Sequence, residues 1–281
     1  MNKERSKRKL NVQKIFNLVS LMFLSACVIF YGGRFIKLYI ENNKVEETNS
    51  MAKNIKESNK DNENFKVING EYYFSGTDVN NYVSYSNLLW RIMKINTDNT
   101  ITMISDSSIT SLAKGENKDY NSSYISKWLT KKNNEEYTGI LESNLNNMSK
   151  YLTFTKTCKD VIEDTKSISC KDLTEDTYIT IPSLNDYVNT GGNDSFMNNE
   201  EYFYLINNNK ENKSWYIDND GKLGKSDGTD VIGIKPVITI KATIEATGGD
   251  GTESNPYIFE GENSLFGSYV KLGNDIWRIY E

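Results

Sequence analysis

Residues 80–106 read NNYVSYSNLLWRIMKINTDNTITMISD. Trp90 and Ile92 fall at alternate positions before the polar TDNT segment, and Ile101 and Met103 alternate after it. Side chains two residues apart in a strand lie on the same face of a sheet, so the pattern predicts two strands around a turn, with one buried face. The domain is therefore expected to be built on β-sheet.

The end of the chain repeats part of this stretch. Six residues recur with the same spacing, namely Tyr82, Val83, Asn87, Trp90, Arg91 and Ile92, as Tyr269, Val270, Asn274, Trp277, Arg278 and Ile279. A glycine-rich loop precedes the second copy, so we expect one module to end near Thr247 and a partial second module to follow. A truncated gene, a clipped fragment, a terminal strand that pairs with the main domain and chance similarity are the alternatives. A repeat array is not indicated, because stacked repeats need about three or more units.

The composition restricts the chemistry that this chain can perform. None of its 281 residues is histidine, which removes the Ser–His and Cys–His nucleophile pairs and imidazole metal ligands. Acid–base chemistry by paired carboxylates remains open, because Asp and Glu are plentiful. No catalytic, metal-binding or cofactor-binding residue is assigned from the sequence.

Charge is divided sharply between the two ends of the chain. Residues 1–40 carry eight basic residues against Glu4, a net charge of +7, whereas the whole chain is −5, so residues 41–281 carry −12. Phosphate binding requires a basic face, so the acidic bulk of the chain argues against a nucleic-acid partner.

A membrane anchor is predicted near the N-terminus. Residues 15–33, IFNLVSLMFLSACVIFYGG, lack a formal charge over a length close to the roughly 20 residues that cross a bilayer. Basic residues dominate the preceding segment, which places the N-terminus in the cytoplasm and the rest of the chain outside the cell. The alternative is a lipoprotein signal with Cys27 as the lipidated residue, although the apolar run continues past that cysteine.

The remaining pattern predicts an extracellular α+β domain that is rich in strands and has a few short helices. Ser122 or Ser123 caps a helix whose apolar face carries Tyr124, Ile125, Trp128 and Leu129; residues 137–152 have helical spacing; and Ser183 with Asp186 caps a short helix. Pro236 is expected at a strand edge or bulge, since it cannot donate to a ladder. The predicted order is a basic tail (1–14), a transmembrane anchor (15–40), a polar stalk (41–66), the main domain (67–247), and a linker with the partial second module (248–281).

Cys158 and Cys170 are candidates for a disulfide. An oxidising exterior favours pairing, and a loop this short would stabilise the fold by about 3 kcal/mol in the chain-entropy model. Two free thiols are the alternative.

Two further features are weighed as binding sites. Trp215 and Tyr216 lie in a polar hairpin and are the candidate ligand-contact residues. The acidic segment DNDGKLGKSDGTD could offer oxygen ligands to calcium through Asp218, Asp220, Asp227 and Asp230. Lys222 occupies the fifth position of that segment and no Glu closes it, so a plain hairpin turn is preferred to a calcium loop.

Several segments together resemble a known family. These are residues 82–106, 122–129 (SSYISKWL), 181–196 (IPSLNDYVNTGGNDSF), 233–241 (GIKPVITIK) and 248–257 (GGDGTESNPY). In this order they resemble a largely uncharacterised family of membrane-anchored surface proteins from low-GC Gram-positive bacteria, over about residues 67–258. The GIKPV strand is also similar to the closing strand of C-type-lectin-like and sulfatase-modifying-like domains. The resemblance implies an exported, tethered module and assigns no activity.

The sequence therefore leads to three hypotheses of function. The first is a single-pass surface protein that acts as a binding or interaction module toward cell-wall glycan or another surface protein. The second is a carboxylate-dependent hydrolase of envelope glycan, which needs two acidic side chains converging across a cleft. The third is a purely structural component of the envelope.

Overall fold

The computed structural model describes residues 49–115, 119–132, 135–165 and 170–260, together with the backbone of the strands at 269–272 and 275–278. The predicted basic tail and membrane anchor lie outside the described residues. None of the helices in the described part of the chain combines the length and apolar character needed to cross a bilayer.

Strands dominate the described chain, as the sequence predicts. Residues of β1–β16 are Phe65–Ile68, Glu71–Phe74, Tyr82–Tyr85, Leu88–Ile95, Ile101–Ser105, Thr110–Leu112, Leu152–Thr153, Ile179–Thr180, Phe203–Asn208, Ser214–Ile217, Leu223–Ser226, Ile232–Ile234, Val237–Ile240, Tyr257–Ile258, Tyr269–Leu272 and Asp275–Arg278. Residues of α1–α4 are Met51–Ser58, Tyr124–Leu129, Met148–Tyr151 and Leu184–Asn189, and 3₁₀ turns occupy Tyr120–Ser122, Glu142–Asn144 and Gly192–Asp194. The strand-rich α+β class is thus confirmed.

Two sheets carry the domain. The larger has nine strands in the order β1-β2-β4-β5-β13-β7, with β3 beside β4, β14 beside β3 and β8 beside β13. The smaller has the order β11-β10-β9-β12-β6. Lys235 and Pro236 lie between β12 of the smaller sheet and β13 of the larger one, so the GIKPV segment passes from one sheet to the other. Pro236 therefore occupies the crossover rather than the predicted edge or bulge, a place where no ladder donor is needed.

The opening stretch forms the predicted strands and one more. Ser86 and Asn87 have φ of 53° and 57°, the pair of positive values that a two-residue type I′ hairpin turn requires. This turn divides the first predicted strand into β3 and β4, while β4 and β5 pair around the TDNT turn as predicted. Trp90, Ile92 and Met103 are fully buried in the core that these strands cover.

The prediction of a polar stalk over residues 41–66 is wrong for the second half of that range. Ser50 caps α1, whose residues Met51, Ala52 and Ile55 are buried in the core of the domain. The Met51 N–H donates to the Ile244 carbonyl over 2.7 Å. Three apolar residues among many polar ones suffice for this docking, because they share one face of a short helix.

The predicted module boundary at Thr247 is also wrong. Tyr257 and Ile258 form β14, which pairs in parallel with Val83 and Ser84 of β3, and Phe259 is buried in the core. The glycine-rich loop therefore belongs to the domain and leads into one of its strands. Residues 49–260 contain every described element that contributes to this core, so we expect that range to fold by itself.

The helix predictions are confirmed in part. Ser123 caps α2, and Ser183 forms a complete capping box with Asp186 at α4. Tyr124 is 63% exposed, however, so the buried face of α2 does not include it. The helix predicted over residues 137–152 is wrong, because left-handed backbone at Asn147 (φ 47°) separates a 3₁₀ turn from the short α3.

Candidate functional site

A polar cleft of about 280 Å³ lies where the first hairpin, strand β4, the disulfide-bonded segment and the start of α4 meet. It is the candidate functional site, because charged, hydroxyl and amide side chains converge there. The lining residues are Ile68, Asn69, Glu71, Tyr73, Lys94, Lys156, Cys158, Cys170, Leu173, Ser183, Asn185, Asp186 and Asn189.

An ion pair between Lys94 and Glu71 forms one wall of the polar cleft. The Lys94 Nζ donates to Glu71 Oε1 and Oε2 over 3.1 and 3.0 Å, and the Tyr73 hydroxyl donates to Oε2 over 3.0 Å. Burial by itself lowers the pKa of Lys94, but the charge of Asp186, together with the charge of Glu71 and the hydrogen bond to it, outweighs burial and raises that pKa above its ordinary value. Burial, followed by the charge of Asp186, raises the pKa of Tyr73. Lys94 therefore stays cationic and Tyr73 stays neutral in the physiological range.

The start of α4 supplies the opposite wall. Asp186 accepts from the Ser183 N–H over 3.0 Å and from the Ser183 hydroxyl over 2.6 Å, which fixes the carboxylate at the cleft. Next to it, the buried side-chain oxygen of Asn185 has no hydrogen-bond partner among the described residues. A buried acceptor without a partner costs free energy, and a ligand donor could satisfy it.

The disulfide closes a third side. The structure joins Cys158 and Cys170, the predicted pair, with Cα atoms 5.6 Å apart. Asp160 lies beside the two sulfurs, and its carboxylate accepts the N–H groups of Lys171 and Asp172 over 2.7 and 2.9 Å. Disulfide sulfurs are not thiolates, so this group of acidic and sulfur atoms does not suit a metal ion.

The structure places the candidate ligand-contact residues away from the polar cleft. Trp215 is 6% exposed, and its indole N–H donates to the Ile162 carbonyl over 2.8 Å. Tyr216 packs at 6.1 Å from the ring of Tyr202. Little of Trp215 is thus open to a ligand, because its apolar area and its single donor are both used within the protein.

The acidic segment forms the preferred hairpin turn. Asp218 Oδ1 accepts the N–H groups of Asp220 and Lys222 over 2.9 and 2.8 Å, which is an Asx-type turn between β10 and β11. Asp227 pairs with Lys213, and the Asp230 carboxylate accepts from a serine hydroxyl. The Asp220 carboxylate pairs with Lys222, so each of the four acidic side chains weighed as calcium ligands holds a partner within the protein.

In the described part of the chain, two other lysines are buried outside the polar cleft. The Lys235 Nζ donates to the Asp106 carbonyl, the Met197 carbonyl and Asn199 Oδ1 over 3.0, 2.9 and 2.6 Å. Three acceptors match the three donors of an ammonium group, so Lys235 joins three segments where the chain changes sheets. Burial lowers its pKa to about 8, partly offset by the charge of Glu201.

Lys114 binds the smaller sheet in a similar way. Its Nζ donates to the Ile206 carbonyl and to Asn208 Oδ1 over 3.2 and 2.8 Å. Burial lowers the pKa of Lys114 to about 7, while the charge of Asp119 acts in the opposite direction.

Sequence reasoning did not identify Glu71, Lys94 or Asn185 as site residues. One weak signal was present, since Lys94 interrupts the apolar strand LLWRIMKI and needs an acceptor there. The convergence of four distant segments has no local signature.

Comparison of the chain with protein-family models, curated proteins and solved structures finds no match. The family resemblance drawn from the sequence therefore stays a prediction.

Proposed function

We propose that this chain is a single-pass cell-surface protein whose extracellular domain binds a polar ligand of the cell envelope through the polar cleft. The charge-free run at residues 15–33 and the basic residues before it support an anchor with a cytoplasmic N-terminus. The ligand class is cell-wall glycan, and another surface protein is the alternative partner.

The polar cleft is the observation that carries the proposal. The amide oxygen of Asn185 has no hydrogen-bond partner within the described part of the chain, while Asn69 and Asn189 bring further amides to the same space. Sugar hydroxyls donate and accept at once, so they suit a cleft that mixes amides, a hydroxyl and both signs of charge. A volume near 280 Å³ is suited to one or two small polar units rather than to a long apolar ligand.

We also infer that the extracellular domain has a C-type-lectin-like fold. The GIKPV segment is similar in sequence to the closing strand of C-type-lectin-like domains, and in this chain its strand β13 lies inside the larger sheet, with β5 on one side and β7 and β8 on the other. Such a fold would present loops for binding, although a fold by itself does not define a function.

Co-sedimentation with isolated Gram-positive cell-wall sacculi tests the proposal. Residues 49–281 should sediment saturably, and Asn185→Ala should weaken binding about fivefold if one hydrogen bond worth about 1 kcal/mol is lost. Asn193→Ala, at an exposed asparagine outside the cleft, is the matched control. If the wild-type domain does not sediment, or if both variants bind like the wild type, the proposal fails.

A hydrolase is the second candidate, because Glu71 and Asp186 line the same cleft. Both carboxylates already hold structural partners, Lys94 and Ser183, which favours binding over catalysis. Reducing ends released from sacculi by the wild type, but not by Glu71→Gln or Asp186→Asn, would favour the hydrolase. Saturable binding without release would favour the binding module.

A further inference from the structure

A second recess, here called the apolar groove, has no role in the proposed function. It has a volume of about 320 Å³ and is lined mainly by Leu88, Ile109, Trp128, Ile140 and Leu141. Ile140 is 45% exposed, and Trp128 is only partly buried. Apolar side chains grouped in a recess bind an apolar partner more readily than water, so the occupant should be apolar.

The last part of the described domain ends at the rim of this groove. Phe259 is anchored in the core, where its ring stacks on Tyr85 with centroids 5.2 Å apart. The next residue, Glu260, accepts the Ser86 N–H over 2.8 Å, and Ser86 itself lines the apolar groove. The following segment therefore starts beside the groove.

That segment contains one apolar pair. Residues 261–268 read GENSLFGS, in which Leu265 and Phe266 are the large apolar residues. Leu265 is the fifth residue after Glu260, and an extended chain covers about 3.3 Å for each residue step, or about 16 Å in all. This reach is ample for a recess whose rim is touched by Glu260.

The sequence repeat points to the same pair. Tyr72, Phe74 and Gly76 recur as Tyr257, Phe259 and Gly261, so the repeat begins earlier than the second Tyr-Val. Gly76 and Tyr82 are separated by five residues, whereas Gly261 and Tyr269 are separated by seven. The second copy is thus longer by two residues in the interval that holds Leu265 and Phe266.

We infer that the apolar groove is the docking site for Leu265 and Phe266 of the same chain. Docking would bury two large apolar side chains and cover Ile140 and Trp128. It would attach the beginning of the second copy to the first domain, independently of any ligand in the polar cleft.

Engineered cysteines test the inference in residues 49–281. Ile140→Cys with Phe266→Cys should cross-link within one chain under mild oxidation, at least about tenfold faster than the control pair, because docking raises the effective concentration. The control is Val161→Cys with Phe266→Cys, since Val161 is 61% exposed and lies next to Ile162, which bonds the smaller sheet. Peptide mapping identifies the linked residues, and the native cysteines are already paired with each other.

A double variant without engineered cysteines provides a control for misfolding. Leu265→Asn with Phe266→Asn should make Trp128 more accessible to acrylamide quenching without changing the midpoint of unfolding by more than a few degrees. The inference is overturned if the 140–266 pair reacts no faster than the control in a folded protein. It is equally overturned if the link forms only between two chains, which would make a second copy the occupant.

Discussion

Arg91 shows how one residue can hold a buried strand to its surroundings. Its guanidinium lies 3.6 Å from the ring centre of Tyr82 and 4.8 Å from that of Phe196. It donates to the Val79 carbonyl over 3.2 Å and to Asp106 over 3.3 Å. Burial lowers the pKa of Arg91, and the charge of Asp106 and the hydrogen bond to its carboxylate oppose this shift. The planar guanidinium group can stack on aromatic rings and donate several hydrogen bonds at once, which explains why an arginine is found within an apolar strand.

Replacing Arg91 by lysine should destabilise the domain. Lysine keeps the charge but cannot reproduce the stacked plane or the forked donors, so we expect a loss of about 2–3 kcal/mol in the free energy of unfolding. Urea denaturation monitored by tryptophan fluorescence measures the change. The exposed Lys210→Arg is the control and should be neutral; an Arg91→Lys variant as stable as the control would contradict this account.

The buried lysines predict that stability increases with pH. Lys114 has a folded pKa of about 7, against about 10.5 for an ordinary lysine, so between these values the unfolded chain binds more protons than the folded one. Its burial penalty is present in full below pH 7 and is relieved as the pH rises toward 10.5. Lys235 acts in the same direction above about pH 8.

Denaturation at a series of pH values between 7 and 9.5 measures this effect, below the range in which tyrosines titrate. The slope should be positive by up to about 1.4 kcal/mol per pH unit for each proton released. Lys114→Met should flatten the slope, whereas Lys210→Met should leave it unchanged. Parallel slopes for Lys114→Met and the wild type would rule out Lys114 as the source.

At the scale of elements, the repeated residues specify a hairpin rather than a single strand. Tyr82 lies opposite Arg91 and Val83 opposite Trp90 in the β3–β4 pair. Tyr269 lies opposite Arg278 and Val270 opposite Trp277 in the β15–β16 pair. The register is the same in both copies, because the spacing of the paired residues around the turn fixes it.

Helix α1 should contribute to the stability of the domain. Ile55 is 1% exposed, so Ile55→Ala should lower the free energy of unfolding by about 2–4 kcal/mol through lost burial and the cavity it leaves. Glu57→Ala on the exposed face of the same helix is the control, and thermal unfolding is the measurement. Equal melting temperatures for the two variants would indicate that residues 51–58 belong to the stalk and not to the domain.

The disulfide should stabilise both the domain and the polar cleft. Closing the loop between Cys158 and Cys170, which are 12 residues apart, is worth about 3 kcal/mol in the chain-entropy model. Reduction should therefore lower the midpoint of urea denaturation and weaken binding to sacculi. A Cys158→Ser, Cys170→Ser variant should behave like the reduced wild type and ignore the reductant. Full stability after reduction would show that the loop needs no cross-link.

For the whole molecule, the strand after the glycine-rich loop decides where the domain ends. A protein of residues 49–247 loses β14 and Phe259, which packs on Tyr85 and Tyr151, whereas residues 49–260 retain them. Removing a buried phenylalanine alone costs about 3–5 kcal/mol. The shorter protein should melt well below the longer one in calorimetry, and equal melting temperatures would restore the boundary at Thr247.

Much of the local structure follows from the sequence. The capping box at Ser183 and the strands around TDNT were predicted because each depends on neighbouring residues. The helical spacing of residues 137–152 led to the wrong prediction of a helix there. The left-handed backbone at Asn147 interrupts it, and no glycine or proline at that position indicates the interruption in the sequence.

The amino-acid order alone determined the strand-rich class, the helix caps, the turn at TDNT, the absence of histidine chemistry and the charge asymmetry that predicts the anchor. These properties depend on residue type and on spacings of a few residues. The tertiary structure decided which polar residues meet. Glu71, Lys94, Cys158 and Asp186 are brought into one cleft by sheet pairing and the disulfide, and Phe259 reaches the core through a parallel strand. Such contacts between distant segments are selected by the packing of the whole domain, so no local pattern specifies them.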